Sequence, residues 1–319
     1  MVKAELATLL RSPVARADRA FGGYAPSATY RASLRSGRRV FLKGTYPLPA
    51  GSHVQWTLER EERVYRECGS FMRPWAPRYL GSVRGDDWHV VVLEDVGPDT
   101  MPPWTAAKTR AAIRSYASFH ARTYRATLPR WLSRTEHHAF ADFWTQLAEH
   151  GSIGDTASLA GRRVGEAEEW LDVALPVLRE RSAQLKELRP PFAFLHFDTR
   201  SDNIRLQGRT LRLFDWNFAC AGPHEFDVAA FAQSVAMEGG PAPESVLAEY
   251  ERILPLRPAA LDASLAGIAG YFADRAWRPP QPGLPRLRSV QRRQLKASLA
   301  WAARRFALPE PRWLETVPD

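Results

Sequence analysis

The strongest constraint on the fold is a change of pattern at VGPD (96–99). Before it, apolar residues follow the two-residue period of strands; after it, they follow the longer period of helices. TYRASL (29–34) alternates, RSGR (35–38) is a turn signal, and RVFLKG (39–44) returns as a second strand. WHVVVLED (88–95) is a β-branched run of the kind found in a buried strand. Between them, Ser52 with Gln55 three residues on reads as the capping-box start of a helix running to about Cys68, with Gly69 as its stop. Beyond the connection, residues 105–126, 139–150, 163–187, 243–253, 259–276 and 289–306 all read as helices. A strand-rich first third joined by one short connection to a helical remainder predicts an α+β chain of two lobes.

Length and composition narrow the class. A chain of 319 residues fits one large or two medium domains, and 45% hydrophobic with 25% charged residues is ordinary for a globular protein. The longest weakly polar stretch, ALDASLAGIAGYFA (260–273), contains Asp262 and is too short to span a bilayer, so no membrane partner is expected. The N-terminal MVKAELATLLRSPVARADR lacks the apolar block of a signal peptide. Cys68 and Cys220 form no pairing or zinc pattern, which suggests a reducing compartment. A cytoplasmic location is the default expectation. The net charge of +9 raises nucleic-acid binding as a possibility. Yet the basic residues are spread along the chain, and the densest cluster, RLRSVQRRQLK (286–296), has no interleaved aromatics. No nucleic-acid partner is expected.

Two places carry chemistry. On the helix read from 52, Val54, Leu58, Tyr65 and Cys68 form an apolar stripe; Glu61 falls within it, while Glu59 and Glu62 point elsewhere. A carboxylate on an inward face is costly unless a cation pairs with it. Lys43, ending the strand VFLK, is the candidate, and it is one of only five lysines in an arginine-rich chain. A snorkelling lysine and a half-exposed glutamate would explain the same pattern.

The second place is HFDTRSDNIRL (196–206), followed by LFDWN (213–217). His196, Asp198 and Asn203 have the layout of a kinase catalytic loop, in which the aspartate accepts the acceptor hydroxyl's proton and the asparagine holds magnesium. IRL, the turn QGRT (207–210) and LRLF read as an antiparallel hairpin, which would set Asn203 and Asp215 side by side. An amide oxygen beside a carboxylate suits a hard cation such as magnesium. Asp215 could instead be a strand-end cap, and Arg200 and Asp202 need only fix the loop's shape.

The order of these parts, from FGGYAPS (21–27) through VFLK, Glu61, LEDV (93–96), HFDTRSDN and LFDWN to HEFDVAAF (224–231), resembles the aminoglycoside phosphotransferase-like family of small-molecule kinases. The resemblance implies a two-lobed protein-kinase-like fold: a nucleotide-binding lobe over 1–93, a hinge at 94–98, and a helical lobe over 99–319 with the catalytic loop and acceptor site. It implies an ATP- and Mg2+-dependent phosphotransferase acting on a hydroxyl of a small molecule, an antibiotic or a metabolite. By resemblance, Asp198 is the base and Asn203 and Asp215 bind magnesium. Lys43 contacts the ATP phosphates and is positioned by Glu61. Main-chain groups of Glu94 and Val96 meet the adenine, and Ser27 stands in the nucleotide loop. Asp227 braces the catalytic loop, and His120 fits a core position. Two departures stand out: Phe197 occupies a position where many relatives have glycine, and FGGYAPSA is not the G-x-G-x-x-G loop.

For the acceptor, residues 251–319 hold twelve basic and six acidic side chains, which argues against a polycationic sugar. Between 130 and 185 the balance reverses to six basic and nine acidic, which a solvated helix face explains as well. Several aromatics, among them Trp144, Tyr271 and Trp277, could line a flat substrate pocket. The main alternative is a catalytically idle nucleotide-binding or scaffold protein. Such a chain would usually have lost Lys43, Asp198, Asn203 or Asp215, and all four are present.

Overall fold

The alternation at 28–45 folds as a hairpin within an antiparallel sheet. In the computed structural model, which describes residues 2–20, 27–45, 58–98, 100–282 and 284–319, the strands are β1 (Val14–Arg19), β2 (Ala28–Leu34), β3 (Arg39–Thr45), β4 (Tyr79–Arg84) and β5 (His89–Glu94). They pair in the order β1-β2-β3-β5-β4. The apolar run of β5 lies between β3 and β4, with Val91, Val92 and Leu93 buried. These strands belong to a first compact unit, residues 1–101 with 202–219; residues 102–201 and 220–319 form the second.

A helix, α1 (Val2–Leu10), lays Leu6 and Leu10 on the sheet against Leu34, Val40, Leu42 and Val92. Gly81 of β4 has φ +132°, and a Cβ there would sit 2.7 Å from Leu9, so two constraints demand glycine at that point. The helix α2 (Glu59–Met72) buries Glu61, Val64, Tyr65, Cys68 and Met72. It runs through Gly69, which was expected to stop it. An interior glycine costs only about 1 kcal/mol, and burial of Met72 offsets that. The stop comes from Pro74: Arg73 before it is extended (φ −73°, ψ 134°), the conformation proline enforces on its predecessor. The capping start at Ser52 and Gln55, the stripe residue Val54, and Gly22, Gly23 and Pro26 of the nucleotide loop lie outside the described residues. The hairpin of Ile204–Gln207 with Thr210–Leu213 completes this unit, turning at Gly208 (φ 59°).

The second unit is helical: α3 (Ala106–Thr123), α4 (Phe143–Glu149), α5 (Ile153–Ser158), α6 (Val164–Ala183), α7 (His224–Met237), α8 (Pro243–Glu251), α9 (Pro258–Arg275) and α10 (Leu287–Arg305). A short antiparallel pair, Ala193–Leu195 with Cys220–Gly222, leads into the loop that begins at His196. The α+β organisation read from the sequence is the one observed. No described helix is long and apolar enough to cross a membrane.

Candidate active site

Three segments far apart in sequence converge in the first unit. Lys43 Nζ, from β3, lies 2.7 Å from Glu61 Oε2 of α2 and 2.8 Å from Asp215 Oδ1, which follows the hairpin. Lys43 is 4% exposed and Glu61 fully buried, so the snorkelling reading fails and the pairing stands. Asp215 has left-handed backbone (φ 68°, ψ 62°), a region that short polar side chains tolerate better than most. Asn217 Nδ2 donates to Asp215 Oδ1 and, at 3.2 Å, to Glu61 Oε2, tying the two carboxylates together. Sequence reading gave Asn217 no role, although it stands in the LFDWN segment.

The hairpin closes as its turn requires. Ile204 pairs with Leu213, and the Phe214 N–H donates to the Asn203 carbonyl at 3.0 Å. Asn203 and Asp215 therefore share the wall of one cavity of about 300 Å³, which Ser27, Lys43, Glu61, Glu94 and Val96 also line. All seven of these residues belong to the first unit. Arg205 and Phe214 line the cavity too, with the guanidinium 4.8 Å from the ring centroid. The sequence reading saw only strand in these two.

Side chains hold the 94–97 segment. The Glu94 carboxylate accepts from the Arg78 N–H (3.0 Å) and from Arg212 (2.8 Å). Burial would raise its pKa, but these donors and the Arg212 charge hold it below the usual carboxylate value. Gln207 Nε2 donates to the Val96 carbonyl at 2.8 Å, Arg39 pairs with Asp95 at 2.9 Å, and Arg31 donates to the Gly97 carbonyl. What the segment turns to the cavity is held from behind.

Burial alone would lower the pKa of Lys43, but the charges of Glu61 and Asp215 outweigh it and hold the ammonium above its ordinary value. For Glu61, burial pushes the carboxyl upward against the pull of Lys43, and the charge of Asp215 adds to the rise. Two carboxylates thus share one ammonium, leaving a formal negative excess on the cavity wall. With the Asn203 amide, the donor set is all oxygen. Among the described residues no three His, Cys, Asp or Glu side chains form a metal cluster by themselves. A hard cation that takes one carboxylate and completes its shell with phosphate and water oxygens fits this set.

Asp198 lies in the second unit, on a loop strapped from two helices. The buried Asp227 carboxylate of α7 accepts from the backbone N–H groups of His196 (2.7 Å) and Phe197 (2.9 Å) and from the Tyr116 hydroxyl of α3 (2.5 Å). His120 Nε2 stands 3.3 Å from Asp227, and its Nδ1 is 2.8 Å from the Tyr250 hydroxyl. His120 is thus the satisfied core histidine expected. The Asp198 N–H donates to His196 Nδ1 (3.3 Å), which gives the two-residue spacing a geometric reason. Arg200 Nη1 lies 3.1 Å from Asp198 Oδ1. Phe197 has φ 69°, which explains why glycine suits this position; here a phenylalanine is held there by Asp227 and by stacking on Phe226 at 4.5 Å.

The model of the phosphotransferase enzyme family matches residues 22–263. No curated protein sequence matches the chain. Among solved structures, spectinomycin phosphotransferase in complex with ADP and spectinomycin is similar with a TM-score of 0.62 at 11% identity, over 93% of this chain and 97% of that one. A choline/ethanolamine kinase family protein from Mesorhizobium loti gives 0.58 at 17% identity, over 99% and 97%. Amicoumacin kinase in complex with AMP-PNP, Ca2+ and Ami gives 0.55 at 13% identity, over 88% and 87%. At these identities the likeness is one of fold.

Proposed function

The chain belongs to the phosphotransferase enzyme family, and we propose that it moves the γ-phosphate of ATP to a hydroxyl of a small molecule. One observation carries the reading: Lys43, held 2.7 and 2.8 Å from Glu61 and Asp215, faces one cavity with Asn203. The bound ADP and AMP-PNP of the spectinomycin and amicoumacin enzymes support a nucleotide as the cavity's ligand.

In this reading Lys43 meets the phosphates, with Glu61 fixing its position and Asn217 holding Glu61 and Asp215 at their spacing. Asn203 and Asp215 would hold Mg2+, which would supply positive charge against the charge that develops in transfer. The main chain of 94–98 meets the adenine, through Glu94 and Val96, and Ser27 flanks the phosphates. Asp198 orients the acceptor hydroxyl and takes its proton as the oxygen bonds to the γ-phosphorus and the bond from that phosphorus to the β–γ bridging oxygen breaks, releasing ADP. Asp227 acts at one remove, by fixing the backbone on which Asp198 stands.

The test is mass-spectrometric detection of a phosphorylated product across a panel of antibiotics, choline, sugars and hydroxy acids, with Mg-ATP. Wild type should give a product that Asp198→Ala does not, the rate falling by about 10²–10⁴. Asp198→Ala should keep the rise in melting temperature caused by Mg-ATP, and Asp215→Ala should lose it. Absence of any Mg-ATP effect on wild-type melting would remove the reading.

A further inference from the structure

The inference concerns the acceptor, and it rests on the phosphotransfer reading above. Within the second unit, the residue before Asp198 opens a chain of half-buried rings. Phe197 meets Phe140 edge-on (centroids 5.5 Å), Phe140 meets Tyr271 (5.4 Å), and Tyr271 meets Phe143 (5.4 Å). A core cluster would close these rings from solvent, as it does Phe226, only 1% exposed. Here each keeps part of its surface open. The Tyr271 hydroxyl makes no hydrogen bond to any described residue.

Arginines fringe this surface. The Arg275 guanidinium lies 5.7 Å from the Tyr271 centroid and 6.0 Å from that of Phe143. Arg288 Nη1 donates to the Arg275 carbonyl (3.3 Å) and to Gln291 Oε1 (2.7 Å), which brings it to the end of α9. Arg278 donates to both oxygens of Asp274 (2.7 and 2.9 Å), and Arg275 Nε lies 3.1 Å from the same carboxylate. Four guanidiniums, those of Arg200, Arg275, Arg278 and Arg288, therefore face two carboxylates, Asp198 and Asp274.

The charges act on one another across this surface. Burial raises the Tyr271 pKa first; Asp198 adds to the rise, while Arg275, Arg200 and Arg288 oppose it. Arg288 is lowered by burial and then by the like charges of Arg278 and Arg275. Crowding cations this way is unfavourable unless an anion relieves it. Arginine forks are suited to hold a carboxylate or a phosphate.

We propose that the acceptor is a hydroxylated organic anion: a flat or apolar body rests on Phe197, Phe140 and Tyr271, and its anionic group is held by Arg275 and Arg288. The hydroxyl to be phosphorylated then lies on the Asp198 side of the ring surface. The site selects against the polycations that an acidic acceptor site would favour.

Isothermal titration of the full chain, saturated with Mg2+ and AMP-PNP, tests this with three probes on one carbon skeleton: phenyllactate, its neutral amide, and the cationic 1-amino-3-phenylpropan-2-ol. Phenyllactate should bind at least about tenfold more tightly than either other probe, and raising the salt should shrink the gap. The double variant Arg275→Gln/Arg288→Gln should lose about tenfold for phenyllactate and little for the amide. Asp274→Asn should gain affinity for phenyllactate, an outcome that misfolding cannot produce. Equal binding of the three probes, no binding of phenyllactate, or wild-type affinity in the double variant would overturn the proposal. The readout needs no turnover, so its failure is separate from failure of the phosphotransfer reading, which the Mg-ATP melting shift and the Asp198→Ala comparison report.

Discussion

Each unit buries carboxylates, and they are treated in opposite ways. In the second unit, Asp227 collects two backbone N–H groups, a tyrosine hydroxyl and an imidazole, and burial fails to raise its pKa because these donors outweigh it. In the first unit, Glu61 and Asp215 divide one ammonium between them, and Glu61 is pushed upward. The first arrangement is complete as it stands and can do little but hold a loop. The second retains negative charge beside a cavity and is completed by something that arrives. Burial of charge is thus not itself a mark of function; incomplete neutralisation facing open volume is the better one.

That contrast predicts two opposite variants. Asp227→Ala leaves the N–H groups of His196 and Phe197 and the Tyr116 hydroxyl without their acceptor inside the core. It should cost about 3–5 kcal/mol and lower Tm by about 10 °C. Lys43→Met should lower kcat/KM by about 10²–10³-fold. Its Tm should move far less, because Glu61 can take up a proton and the Asp215 side chain is 23% exposed to water. Thermal melts and steady-state kinetics on both proteins check the pair. If Lys43→Met proved the more damaging to Tm, the Lys43 cluster would be scaffold too.

Glu62 sharpens the comparison from inside the first unit, one residue from Glu61. It turns to β4 and β5, where Tyr79 (2.8 Å), Ser82 (2.7 Å) and Arg84 donate to it and His89 lies at 2.9 Å. Burial would raise its pKa, yet these donors hold it at about 2. A carboxylate depressed in the folded state stabilises at pH above its unfolded value, and the contribution is lost as pH falls from about 4.5 towards 2. Glu62→Gln should therefore cost about 1–3 kcal/mol at neutral pH, and the gap to wild type should close across that acid window. Melting temperatures of both proteins between pH 2 and pH 7 measure it; a gap independent of pH would mean that Glu62 acts by packing.

Much of this was legible in sequence, and the omissions have physical causes. The β2–β3 hairpin, the Lys43–Glu61 pair and the turn at Gly208 each announced themselves by period or by an uncompensated charge. The strand β1 did not, since VARADR is an exposed edge with no apolar alternation. The helix α7 escaped because HEFDVAAFAQSVAM is buried on nearly every side, and a helix apolar all round shows no stripe. The ring surface from Phe197 to Phe143 joins residues from three separate segments, which no local pattern connects.

The smallest effect tests what holds Phe197, which shares the loop that Asp227 holds. Its left-handed backbone costs roughly 1–2 kcal/mol that a glycine would not incur. Against this, its ring stacks on Phe226 with planes 9° apart and meets Phe140 edge-on, contacts each worth about 0.5–1.5 kcal/mol. Phe197→Gly exchanges one for the other, so stability should change by no more than about 1 kcal/mol, measured by urea unfolding. If Asp227 is what holds the loop, this variant keeps its fold, since the glycine retains the N–H that Asp227 accepts. A loss approaching that of Asp227→Ala would transfer the bracing role from the carboxylate to the ring, and Asp227 would then no longer stand as the complete counterpart to the Lys43 cluster.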